Sequence, residues 1–266
     1  MYNISVISNF GLDINFKTEK FCEFYVDRIP NSPKKSIRFL WVLEPNEVSG
    51  FRKTAINNYQ KFDVILTCDN EILNSCPNSK LFPYGTTWIK DFEFTEKKEY
   101  CVTTLIGGKQ ICSGHLLRQS IPKVIESITS IPVHLYNSVN NPYQKLDIFR
   151  EMRSNLWKNE LFYSQYHISI ENVTFDNWFT EKLIDCFQTK TIPIYIGCDN
   201  ISEFFDIRGI FHVRNLEEMV EVCNNLTPQT YQNMIEYVEI NYQLSMKYHD
   251  FRERIENEVT NFINKI

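Results

Sequence analysis

The sequence predicts an α/β protein of two halves, and three observations carry that reading. At 266 residues the chain is nearly twice an ordinary domain of about 100–150 residues. Short β-rich apolar runs alternate with segments of helical periodicity in both parts. Between them runs DFEFTEKKEY, residues 91–100, the densest mixed-charge stretch of the chain and the kind of polar segment at which domains divide.

In the first half, MYNISVIS, FCEFYV, SIRFLWVL and FDVILT are strand-length runs, several of them apolar on both faces, as covered strands are. SIRFLWVL is followed by Glu-Pro-Asn, and a residue before proline is held extended, so Glu44 belongs at the carboxyl end of that strand. KLFPYGTTWIK closes this half with a Pro-Tyr-Gly turn.

The second half opens on a strand, YCVTTLIGG, then a helix over GHLLRQSIPKVIESI, where Leu117, Ile121, Val124, Ile125 and Ile128 keep helical spacing and Pro122 must bend or interrupt the helix. IPVHLY, a helical stretch around 145–163 and the strand YHISIEN follow. Leu183, Cys186 and Phe187 then mark a helix, and TIPIYIG a strand, so the chain runs strand, helix, strand as in a βαβ unit with its parallel pair. GIFHV is a strand and NLEEMVEVCNNL a helix, while residues 227–263 form one or two long helices opened by Thr227 and Pro228. The expected domains are 1–95 and 96–246, with a helix over 247–266 packing back on the first.

Composition narrows the classes. With 43% hydrophobic and 23% charged residues the chain is folded rather than disordered. A net charge of −5 gives no general attraction to nucleic acid, which is not an expected partner. The first sixteen residues hold no basic side chain and no long apolar core, and later apolar runs fall far short of the ~20 residues a membrane helix needs. A soluble, cytoplasmic protein without a transmembrane segment is expected. The eight cysteines lack C-x-x-C spacing and are expected to be buried reduced thiols.

Several chemistries lack their motifs. LIGGKQ has a Gly-Lys pair without the P-loop pattern, and no G-x-G-x-x-G occurs. The histidines are scattered, so no metal site and no cofactor are expected; D-x-D is absent too, DFE at 91–93 coming nearest. What stands out is FTEKL. Thr180 is a plausible N-cap, worth about 1 kcal/mol, and Glu181 suits a first turn. Lys182 does not, unless an anion sits beside it.

The run ISIENVTFDNWFTEKLIDCFQTKTIPIYIG resembles the donor-binding signature of the glycosyltransferase family 10 α-1,3/4-fucosyltransferases, with its E-N, T-E-K-L and I-P-x-x-x-G pieces in order. LEPNE, FPYG and GGKQICSGHLLRQSI resemble that family's acidic E-x-P element, its turn before the donor half and the stretch carrying its phosphate-binding arginine. The resemblance spans about residues 37–215 and implies a GT-B fold, two Rossmann-like domains facing across a cleft, the first for a glycan acceptor and the second for a nucleotide-sugar donor. It implies an inverting, metal-independent transfer of fucose from GDP-fucose to a glycan hydroxyl. Glu44 would be the general base, with Glu47 in reserve. Arg118 and Lys182 would neutralise the diphosphate, the lysine's anion arriving with the substrate. Glu181 would bind ribose or sugar hydroxyls, Asn172 would fix the donor, and Trp178, where the family commonly has tyrosine, would stack on a sugar or base; Glu171 and Thr180 complete the expected donor site. A transferase using another nucleotide sugar such as UDP-xylose, or a non-catalytic nucleotide- or glycan-binding module, are the alternatives.

Overall fold

A computed structural model describes residues 1–8, 11–89, 91–95, 97–137, 149–150 and 157–266. The chain forms two compact units, one of Met1–Tyr84, Asp176–Trp178 and Asp250–Ile266, the other of Gly85–Phe175 and Phe179–His249.

The first unit holds a short pair, β1 (Tyr2–Asn3) and β3 (Lys17–Thr18), and a five-stranded sheet. That sheet contains β2 (Ser5–Ser8), β4 (Cys22–Val26), β5 (Ile37–Trp41), β6 (Val64–Thr67) and β7 (Ser79–Leu81), in that spatial order and parallel throughout. Phe24, Phe39 and Leu40 are fully buried, as strands covered on both faces require. Short helices α1 (Asn46–Ser49) and α2 (Arg52–Asn57) follow β5, and α3 (Asn70–Ser75) follows β6, capped by Asp69, which accepts from the Glu71 and Ile72 N–H groups. The closing helix Phe251–Ile263 lays Ile255, Val259 and Ile263, one face at i, i+4, i+8, into the core with Phe24, Phe39 and Trp41.

The second unit is a six-stranded parallel sheet. Its strands are β8 (Glu99–Ile106), β9 (Val133–Asn137), β10 (Phe149–Arg150), β11 (Ser164–Ile170), β12 (Ile192–Ile196) and β13 (Phe211–His212), in the order β10-β9-β8-β11-β12-β13. Chain order therefore reverses between β8 and β11, the doubly-wound arrangement in which ligands bind outside the carboxyl ends of the two central strands. Helix α4 (Ser113–Val124) follows β8, α5 (Glu181–Gln188) joins β11 to β12, and α6 (Leu216–Asn225) and α7 (Thr230–Ser245) complete the unit.

Some expectations change in detail. Helix α4 runs through Pro122 and only tightens to a 3-10 turn at Ile125–Ser127, because a proline near the carboxyl end forfeits one hydrogen bond without a following helix to misdirect. The last helical region is two helices, broken where Asp250 caps the second by accepting from the Arg252 N–H. Helix α7 starts at Thr230 rather than Pro228, since Thr227–Gln229 form a turn in which the Thr230 hydroxyl accepts from the Thr227 N–H. The stretch expected as helix around 145–163 lies largely outside the described residues; Phe149–Arg150 pairs with β9, and Trp157–Tyr163 is a 3-10 helix. The run 91–100 is no bare linker, for Phe92 stacks on Tyr163 and buried Lys98 donates to the Phe162 carbonyl and the Thr191 hydroxyl. All eight cysteines are buried and free. Among the described residues no helix is long and apolar enough to cross a membrane.

Candidate active site

A cavity of about 480 Å³ opens at the β8/β11 switch point of the second unit. Gly107, Gly108 and Lys109, just past β8, form part of its wall, as do Ile170 and Asn172 at the end of β11. Gln119 on α4 holds the glycine loop by donating to the Gly107 and Lys109 carbonyls at 3.3 and 3.0 Å, so a two-glycine turn is fixed from behind by one buried amide.

Helix α4 starts hard against the end of β11. The Gly114 N–H donates to the Asn172 carbonyl at 2.9 Å, and a methyl group on Gly114 would meet the Glu171 carbonyl oxygen at 1.8 Å. This closeness lets Arg118, one turn on and 9% exposed, donate to the Ile170 carbonyl and, at 2.8 Å, to Asn172 Oδ1. Gly114→Ala is expected to push the start of α4 off the Glu171–Asn172 corner. Overpacking of this kind costs about 1–3 kcal/mol, so the melting temperature should fall. A variant that melts like wild type would show that this contact does not set the geometry.

The cap of α5 is the other half of the wall. Buried Glu171 accepts from both the Thr180 N–H and the Thr180 hydroxyl at 2.8 Å, and Thr180 Oγ1 in turn accepts from the Lys182 N–H at 3.3 Å. The Lys182 ammonium lies 3.1 Å from Glu181 Oε1, 3.2 Å from Thr180 Oγ1 and 3.8 Å from Glu171 Oε2. Two buried carboxylates thus already face the lysine whose anion was expected to arrive with the substrate. Burial works against ionised Glu181, but the Lys182 ammonium, Lys158 and the hydrogen bonds to the carboxylate together outweigh it and hold that carboxyl down at about 2. Glu171 moves the other way, raised by burial that Lys182 only partly offsets. Burial disfavours the charged lysine, yet Glu181 and Glu171 raise its pKa overall. His115 is pushed down to about 4, by burial and then by the nearby Arg118, Lys109 and Lys182, so it is neutral at pH 7; its Nδ1 lies 2.8 Å from Cys112 Sγ.

Of the residues expected at a donor site, Arg118, Asn172, Glu181 and Lys182 line the cavity, whereas Glu171, Thr180 and Trp178 do not. Glu171 and Thr180 stand behind the wall and build the helix cap. Trp178 stands further from that wall. Asn177 takes a left-handed backbone (φ 64°), and Trp178 is 4% exposed in the first unit, stacked on Tyr84 with ring centroids 6.0 Å apart. The cavity also takes in residues the motifs did not single out, among them Trp88, Lys158 and His167.

In the first unit, Glu44 is half-buried just beyond β5, while Glu47 is exposed on α1. Asp27, left-handed at φ 47°, accepts from the Leu43 and Glu44 N–H groups at 2.9 and 3.1 Å, pinning the backbone at the base of the Glu44 side chain. Burial, with a lesser push from Glu44, raises Asp27 to about 6. A second cavity of about 640 Å³, with Tyr25, Asp27, Arg28, Phe51 and Thr54 in its wall, adjoins this corner. Elsewhere, Glu99, Cys101 and His134 bring ligand atoms within 4.8 Å of one another on β8 and β9, and none of them lines the second unit's cavity.

The family model described as glycosyltransferase family 10 (fucosyltransferase), C-terminal, matches residues 109–265. This chain belongs to glycosyltransferase family 10. As a family 10 member it is a glycosyltransferase, and the matched segment contains Arg118, Asn172, Glu181 and Lys182. A crystal structure of an α1,3-fucosyltransferase is similar at 14% identity and a TM-score of 0.52, over 86% of this chain and 80% of that one. The same enzyme class with GDP-fucose is similar at 15% and 0.52, over 86% and 80%. TarM is similar at 13% identity and a TM-score of 0.64, over 92% of this chain and 55% of TarM. At these identities the likeness concerns the fold, which is of the GT-B class. No curated protein sequence matches the chain.

Proposed function

We propose that this family 10 enzyme transfers fucose from GDP-fucose to a hydroxyl of a glycan, with inversion at the anomeric carbon. The observation that carries the reading is the convergence of Arg118 and Lys182 on a cavity at the switch point of the second unit, within the segment that defines the family. A diphosphate there brings two negative charges to a site whose cations are oriented in advance, Arg118 by Asn172 and the Ile170 carbonyl, Lys182 by Glu181. Preoriented charge of this kind stabilises a leaving group without reorganisation during the reaction.

Glu181, ionised throughout the neutral range, accepts from ribose or sugar hydroxyls, and Asn172 positions the donor beside Arg118. Glu44 takes the proton of the acceptor hydroxyl as its oxygen bonds to the anomeric carbon and the diphosphate leaves from the opposite face. The first-unit cavity bordered by Asp27 is the acceptor's place in this scheme. Arg118 and Lys182 supply the charge that a metal bound to D-x-D supplies in other transferases, and the reaction is metal-independent on this reading.

The test is a thermal-shift and calorimetry panel of GDP, GDP-fucose, GDP-mannose, UDP, UDP-xylose and UDP-glucose. Selective stabilisation by GDP and GDP-fucose is expected. Preference for the UDP ligands would overturn the donor, and indifference to all six would overturn the site.

A further inference from the structure

Resting on the reading of this cavity as the donor site, we infer that Trp88 is the platform on which the donor's nucleobase stacks. Trp88 is 54% exposed, whereas Trp41 and Trp178 are 1% and 4% exposed. A large aromatic left in water at the wall of a cavity is area held ready for a ligand.

Its backbone, by contrast, is tied down. The Trp88 N–H donates to Asp185 Oδ1 at 2.9 Å, the Thr87 hydroxyl to the same oxygen at 2.7 Å, and the Ile89 N–H to Thr87 Oγ1 at 3.1 Å. Asp185 is fully buried on α5, and its other oxygen pairs with Lys158 Nζ at 2.5 Å. That same ammonium sits 4.5 Å from the centre of the indole ring. One buried carboxylate therefore fixes both the loop that presents the tryptophan and the cation beside it, so little conformational entropy is lost when a ligand lands there.

The cavity's make-up selects the base over the other parts of a nucleotide sugar. Arg118, Asn172, Glu181 and Lys182 form its charged group. Leu105, Leu161 and Phe162 form its apolar group, clustered with Ile89, the residue after Trp88. A diphosphate suits the first, and a flat heteroaromatic ring suits the second.

The test compares wild type, Trp88→Ala and Trp88→Phe for binding of GDP, pyrophosphate and fucose 1-phosphate. Base stacking on an aromatic side chain corresponds to a loss of between about 5-fold and about 100-fold in affinity on truncation to alanine. Trp88→Ala is expected to weaken GDP by that amount and leave pyrophosphate and fucose 1-phosphate unchanged, while Trp88→Phe stays within a few-fold of wild type. GDP, but not pyrophosphate, should alter the tryptophan fluorescence of wild type, and the change should vanish in Trp88→Phe. Equal GDP affinity in wild type and Trp88→Ala would overturn the proposal, as would a loss confined to fucose 1-phosphate, which would put the sugar on the indole. Wild type that binds neither GDP nor pyrophosphate would instead remove the donor-site reading itself.

Discussion

Glu44→Gln is expected to lower kcat for glycan fucosylation by about 10²- to 10⁴-fold, the usual contribution of a positioned general base, while leaving GDP-fucose affinity unchanged. The substitution is close to isosteric, and Glu44 is half-buried at the carboxyl end of a central strand, so the fold should tolerate it. Its backbone N–H remains bound to Asp27, which holds Leu43 in the same way. What disappears is the proton acceptor. The measurement is kcat and donor KM side by side with calorimetric GDP binding. An unchanged kcat would remove Glu44 from the chemistry, and a loss found instead in Glu47→Gln would move the base three residues along the chain, to the exposed acid of α1.

Lys182→Ala is expected to weaken GDP by about 10- to 100-fold, as the loss of a hydrogen bond to a charged partner implies. The same change leaves Glu171 and Glu181 facing each other without their shared cation, and removing one partner of a buried ionic group is strongly destabilising. The ammonium side chain is 24% exposed, so the melting temperature should fall by less than a fully buried pair would dictate. Arg118→Lys separates binding from folding: it retains the charge but gives up the fork that spans the Ile170 carbonyl and Asn172. GDP affinity should fall in both variants at temperatures where circular dichroism shows them folded. Unchanged affinity in both would mean that the diphosphate does not lie between these two cations.

How much of this was legible in the chain depends on how local each signal is. The α5 cap was readable because its pieces are neighbours: Thr180 as cap, Glu181 and Lys182 in the first turn, and IPIYIG as the next strand. Arg118 and Asn172 were readable through their motifs, though nothing in the sequence shows that one guanidinium would bridge them across the start of α4. That Trp178 packs on Tyr84 was not legible, because its motif position says nothing about the left-handed turn at Asn177 that precedes it. Trp88 was passed over because its significance comes from Asp185, 97 residues later, and from Lys158, and no periodicity or motif links the three. The Glu99–Cys101–His134 grouping was equally invisible, since only the pairing of β8 with β9 assembles it.

By itself, then, the sequence determined the α/β class, the strands covered on both faces and the βαβ unit around IPIYIG, which follow from patterns within a turn of helix or a stretch of strand, where side-chain period and backbone preference act directly. The family came from the resemblance of its motifs and the match over residues 109–265. Tertiary structure alone decided the strand order that places a switch point between β8 and β11, the two carboxylates that already balance Lys182, and which tryptophan reaches the cavity. Those outcomes depend on contacts between residues far apart in the chain, where burial, charge balance and the turn chosen by a single residue outweigh any local preference.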